Sequence, residues 1–284
     1  MDRRSFISTM PVIGLLGSRA KRLDVGGAQH PISEWFPVVE EIGVQLYTLR
    51  SLLSQDVDRT LAAVAEIGYR TVEFAGLYGL TPQEMRRKLD AVGLRAVSSH
   101  VGVSDIRGDL ASFLEGAQEL GQDLVVVPSI PESERTSEGL RKLAEDFNRA
   151  GEMASSAGLH FGYHNHSWEF ATLPDGSIMM DLLLERTEPG LVDWQMDIFW
   201  TVDGGADPIV YLESQPGRVT SVHVKDRTVN GLMVDVGKGV IDFATILPRA
   251  EELGMLHAFV EHDTPDAPME SVRYSFNALS SLKP

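Results

Sequence analysis

Short apolar runs recur along the chain, each opened by a glycine and closed by a polar residue. The glycines are Gly43, Gly68, Gly93, Gly121, Gly158, Gly190, Gly217 and Gly254, spaced 25, 25, 28, 37, 32, 27 and 37 residues apart. The runs (VQLYTL, TVEF, LRAVSSH, DLVVVPS, LHFGYHNH, LVDWQMD, VTSVHVKD and LHAFVEHD) are dense in apolar and β-branched residues, as in strands buried on both faces. Between them, stretches such as VDRTLAAVAEI and LRKLAEDFNRAGEMASSA place apolar residues at helical spacing. A glycine after such a stretch suits the left-handed C-terminal cap of a helix. Eight strand–helix units of roughly thirty residues predict an α/β fold, a single-domain (β/α)8 TIM barrel, here over residues 41–284. The active site of such a barrel lies at the C-terminal ends of its strands.

The strands are predicted near 43–47, 71–74, 95–100, 124–127, 160–165, 192–197, 219–225 and 257–261. Helices are expected near 55–66, 82–92, 107–120, 136–157 and 178–187, with a looser one in GGADPIVYLES, one opening at Asp242 and one closing the chain. Thr81-Pro82 reads as a helix start, an N-cap followed by proline at the first helical position.

Composition narrows the chemistry. A net charge of −16 argues against a nucleic-acid partner, which needs a basic stripe to displace phosphate counterions. The chain has no cysteine, so a metal must be held by His, Asp or Glu. That donor set suits manganese first, with magnesium, cobalt, zinc and iron as alternatives. Residues 1–28 differ from the rest: Arg3-Arg4, Phe6 and the apolar TMPVIGLLG are similar to a twin-arginine export signal. They predict a periplasmic protein, or a cytoplasmic one if the segment is not a signal. The apolar stretch falls short of the roughly twenty residues that span a bilayer, so no stable membrane association is expected after export.

Side chains alternate along a strand, so residues two apart face the same way. His164 therefore pairs with His166, Gln195 with Asp197, His223 with Lys225, and Glu261 with Asp263. A lone strand-end histidine is ordinarily a hydrogen-bonded core residue. Four suitable residues on four successive strand ends, His164, Asp197, His223 and Glu261, instead predict one divalent-metal site above the barrel mouth.

These residues sit in a wider set of motifs: GVQLYTLR, GYRTVEFAG, VSSHV, GYHNHSWEF, WQMDIFW, VHVKD, GKGVIDF and FVEHD. Over nearly all of 41–284 the chain resembles the xylose-isomerase-like TIM-barrel superfamily of sugar (phosphate) isomerases and epimerases. Within it, the chain is similar to the branch carrying Tyr-His-Asn-His, here residues 163–166. The resemblance implies a metal held by Glu, Asp, His and Glu from strands 5 to 8. Asp197, His223 and Glu261 match, whereas His164 stands where glutamate is expected. A metal-bound imidazole cannot also be a base, so Glu261 alone, His166 or Lys225 is the implied acid–base group. Lys225 is read chiefly as an electrostatic stabiliser. Glu73, His100, Gln195 and Trp200 are the candidate substrate contacts, and for Glu73 an internal salt bridge is an equal alternative.

The branch implies a metal-dependent isomerase, epimerase or lyase for a non-phosphorylated keto-sugar or 3-keto-glycoside, working through an enediolate. A non-catalytic sugar-binding barrel is the alternative from another class. A phosphodiesterase resembling endonucleases of this fold is opposed by the acidic charge.

Overall fold

The computed structural model describes residues 41–282. Eight parallel strands close into a barrel: β1 Ile42–Gln45, β2 Thr71–Phe74, β3 Arg95–His100, β4 Leu124–Val127, β5 His160–His164, β6 Asp193–Asp197, β7 Val219–Val224 and β8 His257–Val260. Each strand pairs with the next, and β8 returns to β1 through Ile42–Ala258, Gly43–Phe259 and Val44–Val260. The predicted strands are therefore all present, with β2, β3 and β4 at the predicted bounds.

The residues that set these elements are the ones the pattern singled out. Thr81 caps the helix Pro82–Val92 and forms a reciprocal capping box with Glu84. Asp242 caps Phe243–Glu252 through the Thr245 amide. Gly93 and Gly121 end their helices in the left-handed conformation, at φ 73° and 76°. Gly43 departs from the expectation. It lies inside β1, where a Cβ would meet the Phe259 ring at 2.6 Å and Thr71 Oγ1 at 2.7 Å. Its role is to let strand and ring approach, not to cap a helix.

The outward side chains of the strands pack under the helices in two clusters. One joins Val44, Val72 and Val222 to Leu61, Met85 and Leu89, and the other joins Val125, Phe161 and Tyr163 to Leu140, Leu143 and Phe147. The inward positions are left for polar residues at the C-terminal mouth.

Several elements differ from the prediction. A short 3-10 turn and helix, Leu46–Leu49 and Arg50–Leu53, follow β1. The expected helix at 107–120 is two, Val103–Arg107 and Leu110–Leu120, divided at Gly108. A further helix, Ile198–Asp203, starts directly after β6. Asp226–Arg227 and Met233–Val234 form a small antiparallel ribbon beyond β7. Among the described residues, no helix is long and apolar enough to cross a membrane. The export-signal expectation lies outside the described residues.

Candidate active site

Four strands deliver the upper layer of the site. His164 ends β5, Asp197 ends β6, His223 lies on β7 and Glu261 follows β8, and all four are buried. Their donors face one another. His164 Nε2 is 3.7 Å and His223 Nδ1 3.9 Å from Asp197 Oδ2, and His223 Nδ1 is 2.8 Å from Glu261 Oε2. A four-coordinate ion with bonds of about 2.1 Å separates its donors by roughly 3.4 Å; Asp197, His223 and Glu261 offer donors all within 4.8 Å of one another, while His164 groups in the same way with His100 and His223.

Beneath lies a polar floor that orients both histidines. Gln195 Oε1 accepts from His164 Nδ1 at 3.2 Å, and Glu73 Oε1 accepts from His223 Nε2 at 2.6 Å. Each imidazole thus has its outer N–H engaged and its inner nitrogen aimed at the carboxylates, the way a hydrogen-bonded partner orients a metal-binding histidine. Gln45 Nε2 and Gln195 Nε2 donate to the two Glu73 oxygens at 2.7 and 2.6 Å, and His100 Nε2 lies 3.2 Å from Glu73 Oε1. The ladder shifts register between Val72 and Glu73 and between Trp194 and Gln195, just before the two floor residues. Such shifts re-aim side chains beside functional sites.

Lys225 is the one ammonium in this cluster of acids. Its Nζ lies 2.8 Å from Asp197 Oδ2, 2.7 Å from Glu261 Oε2 and 2.7 Å from Asp263 Oδ1. Only the Asp263 contact has hydrogen-bond geometry, so buried Asp197 Oδ2 has no hydrogen-bond donor, while Asp197 Oδ1 accepts the Trp200 amide at 2.9 Å.

Burial opposes charge at His223, but Glu73 and Glu261 lift its pKa to about 10. Burial likewise opposes ionisation of Glu261 and Glu73. The charges of Lys225 and His223 hold Glu261 well below the carboxylate range, and those of His100 and His223 do the same for Glu73. Asp197 is raised by burial to about 6 and is still ionised at neutral pH. The cluster thus holds more carboxylates (Glu73, Asp197, Glu261 and Asp263) than the Lys225 ammonium and the His223 imidazolium offset, and is acidic on balance. The donor set and this acidic charge fit a divalent ion. Burial and the surrounding positive groups hold His164 well below its ordinary range, so it is a neutral imidazole.

The alternation inside Tyr163-His164-Asn165-His166 separates two jobs. His164 and His166 face the mouth, with ring centroids 5.1 Å apart. Tyr163 and Asn165 face away and latch the strand ends. Asn165 Oδ1 accepts from the Asp197 amide at 3.0 Å and from Trp194 Nε1 at 2.8 Å. Glu169 accepts from Tyr163 Oη at 2.5 Å and from the His166 amide at 2.8 Å, and burial raises its pKa to about 8. Asn165 and Glu169 belong to the GYHNHSWEF motif, but the sequence assigns them no role, although strand parity separates Asn165 from the histidines.

The predicted site residues thus lie at one end of the barrel, in different layers. Glu73 and Gln195 are buried in the floor with their polar atoms engaged by protein partners, so the expectation that they touch sugar gives way to the internal alternative. His100 borders the floor beside Glu73 and Gln195. His166 stands between Trp168 and Trp200, at centroid distances of 6.5 and 5.8 Å, and both His166 Nδ1 and Trp200 Nε1 are buried without a partner. Burial and the Lys225 charge hold the His166 pKa down at about 4. Lys225 is held cationic by Asp197, Glu261 and Asp263 against its burial, which removes it as a base. The side chains of Asp226 and Arg227 do not pair with each other. Asp226 is buried and accepts the Gly237 and Gly239 amides at 3.0 and 2.9 Å, while Arg227 pairs with Asp203.

Comparison with known proteins places this geometry among relatives. The model of the xylose isomerase-like TIM barrel matches residues 61–282. The inosose dehydratase of Geobacillus kaustophilus is 26% identical over 237 residues, covering 69% of this chain and 76% of that enzyme. A crystal structure of a sugar phosphate isomerase/epimerase from Parabacteroides distasonis superposes with a TM-score of 0.74 at 29% identity, over 85% of this chain and 94% of the other. The IOLI protein, solved with a bound zinc atom, shares the fold at a TM-score of 0.68 and 15% identity, over 84% of this chain and 96% of that one.

Proposed function

The chain belongs to the xylose isomerase-like TIM barrel family, and from that premise we propose a divalent-metal-dependent enzyme that isomerises, epimerises or eliminates a keto-sugar or 3-keto-glycoside. One observation carries the metal requirement: two imidazoles oriented from below by Gln195 and Glu73 aim their inner nitrogens at the buried carboxylates of Asp197 and Glu261. His164 Nε2, Asp197 Oδ2, His223 Nδ1 and Glu261 Oε2 would hold the ion, with manganese the first choice. Bound there, a divalent ion supplies Lewis acidity to a ketone oxygen and its neighbouring hydroxyl. The inosose dehydratase relative supports a carbohydrate substrate.

The residues around the ion divide the remaining work. His166, neutral and with Nδ1 unpartnered, is the base that takes the proton from the carbon beside the ketone. Its position between Trp168 and Trp200 gives the sugar an apolar wall, and Trp200 Nε1 has a free N–H for a hydroxyl. Lys225 and His223 hold the Glu261 carboxylate well below its ordinary range, which weakens it as a proton acceptor. Return of the proton to carbon gives isomerisation or epimerisation, and loss of a β-oxygen gives elimination. The pairing of Lys225 with three carboxylates and of Lys238 with Asp235 supports a non-phosphorylated substrate.

The test is paired. His223→Ala and Glu261→Ala should lose turnover on keto-glycosides while circular dichroism shows the fold intact. Turnover that survives exhaustive chelation overturns the metal requirement, and tight ligand binding without conversion selects a binding protein instead. We also propose export to the periplasm through the Arg3-Arg4 segment. Arg3→Lys with Arg4→Lys should leave the protein in the cytoplasmic fraction, and unchanged fractionation would rule that route out.

A further inference from the structure

We propose that Lys225 is the resident counter-cation of the metal-free site, and that a divalent ion loads by displacing its ammonium from Asp197 and Glu261 onto Asp263. This rests on the metal site proposed above. The ammonium is almost fully buried and touches Asp197 Oδ2 at 2.8 Å and Glu261 Oε2 at 2.7 Å, two of the oxygens assigned to the ion. Two cations cannot share those oxygens without strong repulsion in a low-dielectric pocket. The lysine also has somewhere to go. Its hydrogen bond is already made to Asp263, at 2.7 Å, and the Asp263 side chain is 27% exposed at the rim while Asp197 and Glu261 are sealed in. The Trp200 ring, 5.8 Å from Nζ, offers the displaced charge an aromatic face.

The arrangement has a use. Without a cation between them, buried Asp197 and Glu261 would repel each other, and a buried charge that loses its partner is strongly destabilising. Lys225 lets the barrel fold before metal arrives and sets how tightly an ion must bind to enter.

The experiment uses chelator-stripped protein, titrated calorimetrically with MnCl2 and, separately, ZnCl2, alongside thermal melts with and without metal. Lys225→Met should melt several degrees lower than wild type when metal-free, bind Mn2+ at least tenfold more tightly, and melt close to wild type once loaded. Equal or weaker Mn2+ binding by Lys225→Met overturns displacement. Asp263→Asn provides a second arm that keeps the ammonium: it should weaken Mn2+ binding at least threefold by removing the negative charge onto which Lys225 retreats, and unchanged or tighter binding overturns the proposal. If wild type takes up neither ion, the metal site itself fails. Normal uptake by wild type with no gain in Lys225→Met rejects the displacement alone.

Discussion

Replacing Glu73 with glutamine keeps the shape of the barrel floor and removes its charge. In wild type the Glu73 carboxylate accepts from Gln45, Gln195 and His223 at 2.7, 2.6 and 2.6 Å. Because both oxygens already accept, a glutamine amide must set a donor against a donor, at a cost of about 1–3 kcal/mol for the buried group left unpaired. The second cost depends on pH. His223 is lifted from 6.5 to about 10 by Glu73 and Glu261, which corresponds to stability on the order of 5 kcal/mol divided between the two carboxylates. A folded-state pKa raised in this way contributes fully below the unfolded value of 6.5 and is lost as pH rises through about 10. Urea denaturation of chelated protein should therefore show Glu73→Gln less stable than wild type at pH 6.5, with the gap narrowing by roughly 1.5 kcal/mol at pH 9.5. Mn2+ affinity should fall by about 10–100-fold, since His223 loses its orienting carboxylate. A gap of equal size at both pH values, or a variant as stable as wild type, would refute the assignment of Glu73 as the His223 partner.

Two further substitutions separate catalysis from architecture. His166→Gln should lower kcat by about 10²–10⁴-fold and leave Mn2+ affinity within roughly twofold, because His166 is not a ligand in this account; a parallel loss of metal binding would place it in the coordination set. Gly43→Ala should cost about 1–3 kcal/mol by overpacking, as its Cβ would sit 2.6 Å from the Phe259 ring; a neutral result in urea titration would show that β1 and Phe259 separate freely.

Much of the barrel was legible because strand, helix and cap signals agreed locally. The buried TVEF and LVVV runs became β2 and β4, and Thr81-Pro82 started its helix at the expected residue. The misses have identifiable physical causes. Ile198–Asp203 is a six-residue helix of mostly apolar and aromatic residues, too short for helical periodicity to register, and its N-cap is Asp197, which reads equally well as a metal ligand. Gly43 has the spacing of the capping glycines but lies inside a strand, where the facing Phe259 ring sets the requirement. Strand parity reports which face a side chain takes, and the structure has His164, Asp197, His223 and Glu261 at the same end of the barrel. It does not report depth, so Glu73 and Gln195 were read as sugar contacts although they lie one layer below the mouth. Nor does it reveal the ion pairs of Lys225, which depend on how far a long side chain folds back between strands.

The central claim is that this barrel uses a divalent ion and a strand-end base to remove a proton beside a ketone. The most direct measurement is proton NMR of 3-keto-glycosides and free ketoses incubated in D2O with the manganese-loaded protein. The account predicts deuterium at the carbon beside the ketone, or release of the aglycone from a glycoside, and loss of both after chelation. A fully loaded, folded protein that leaves every α-hydrogen in place, or one that exchanges it equally well without metal, would contradict the account.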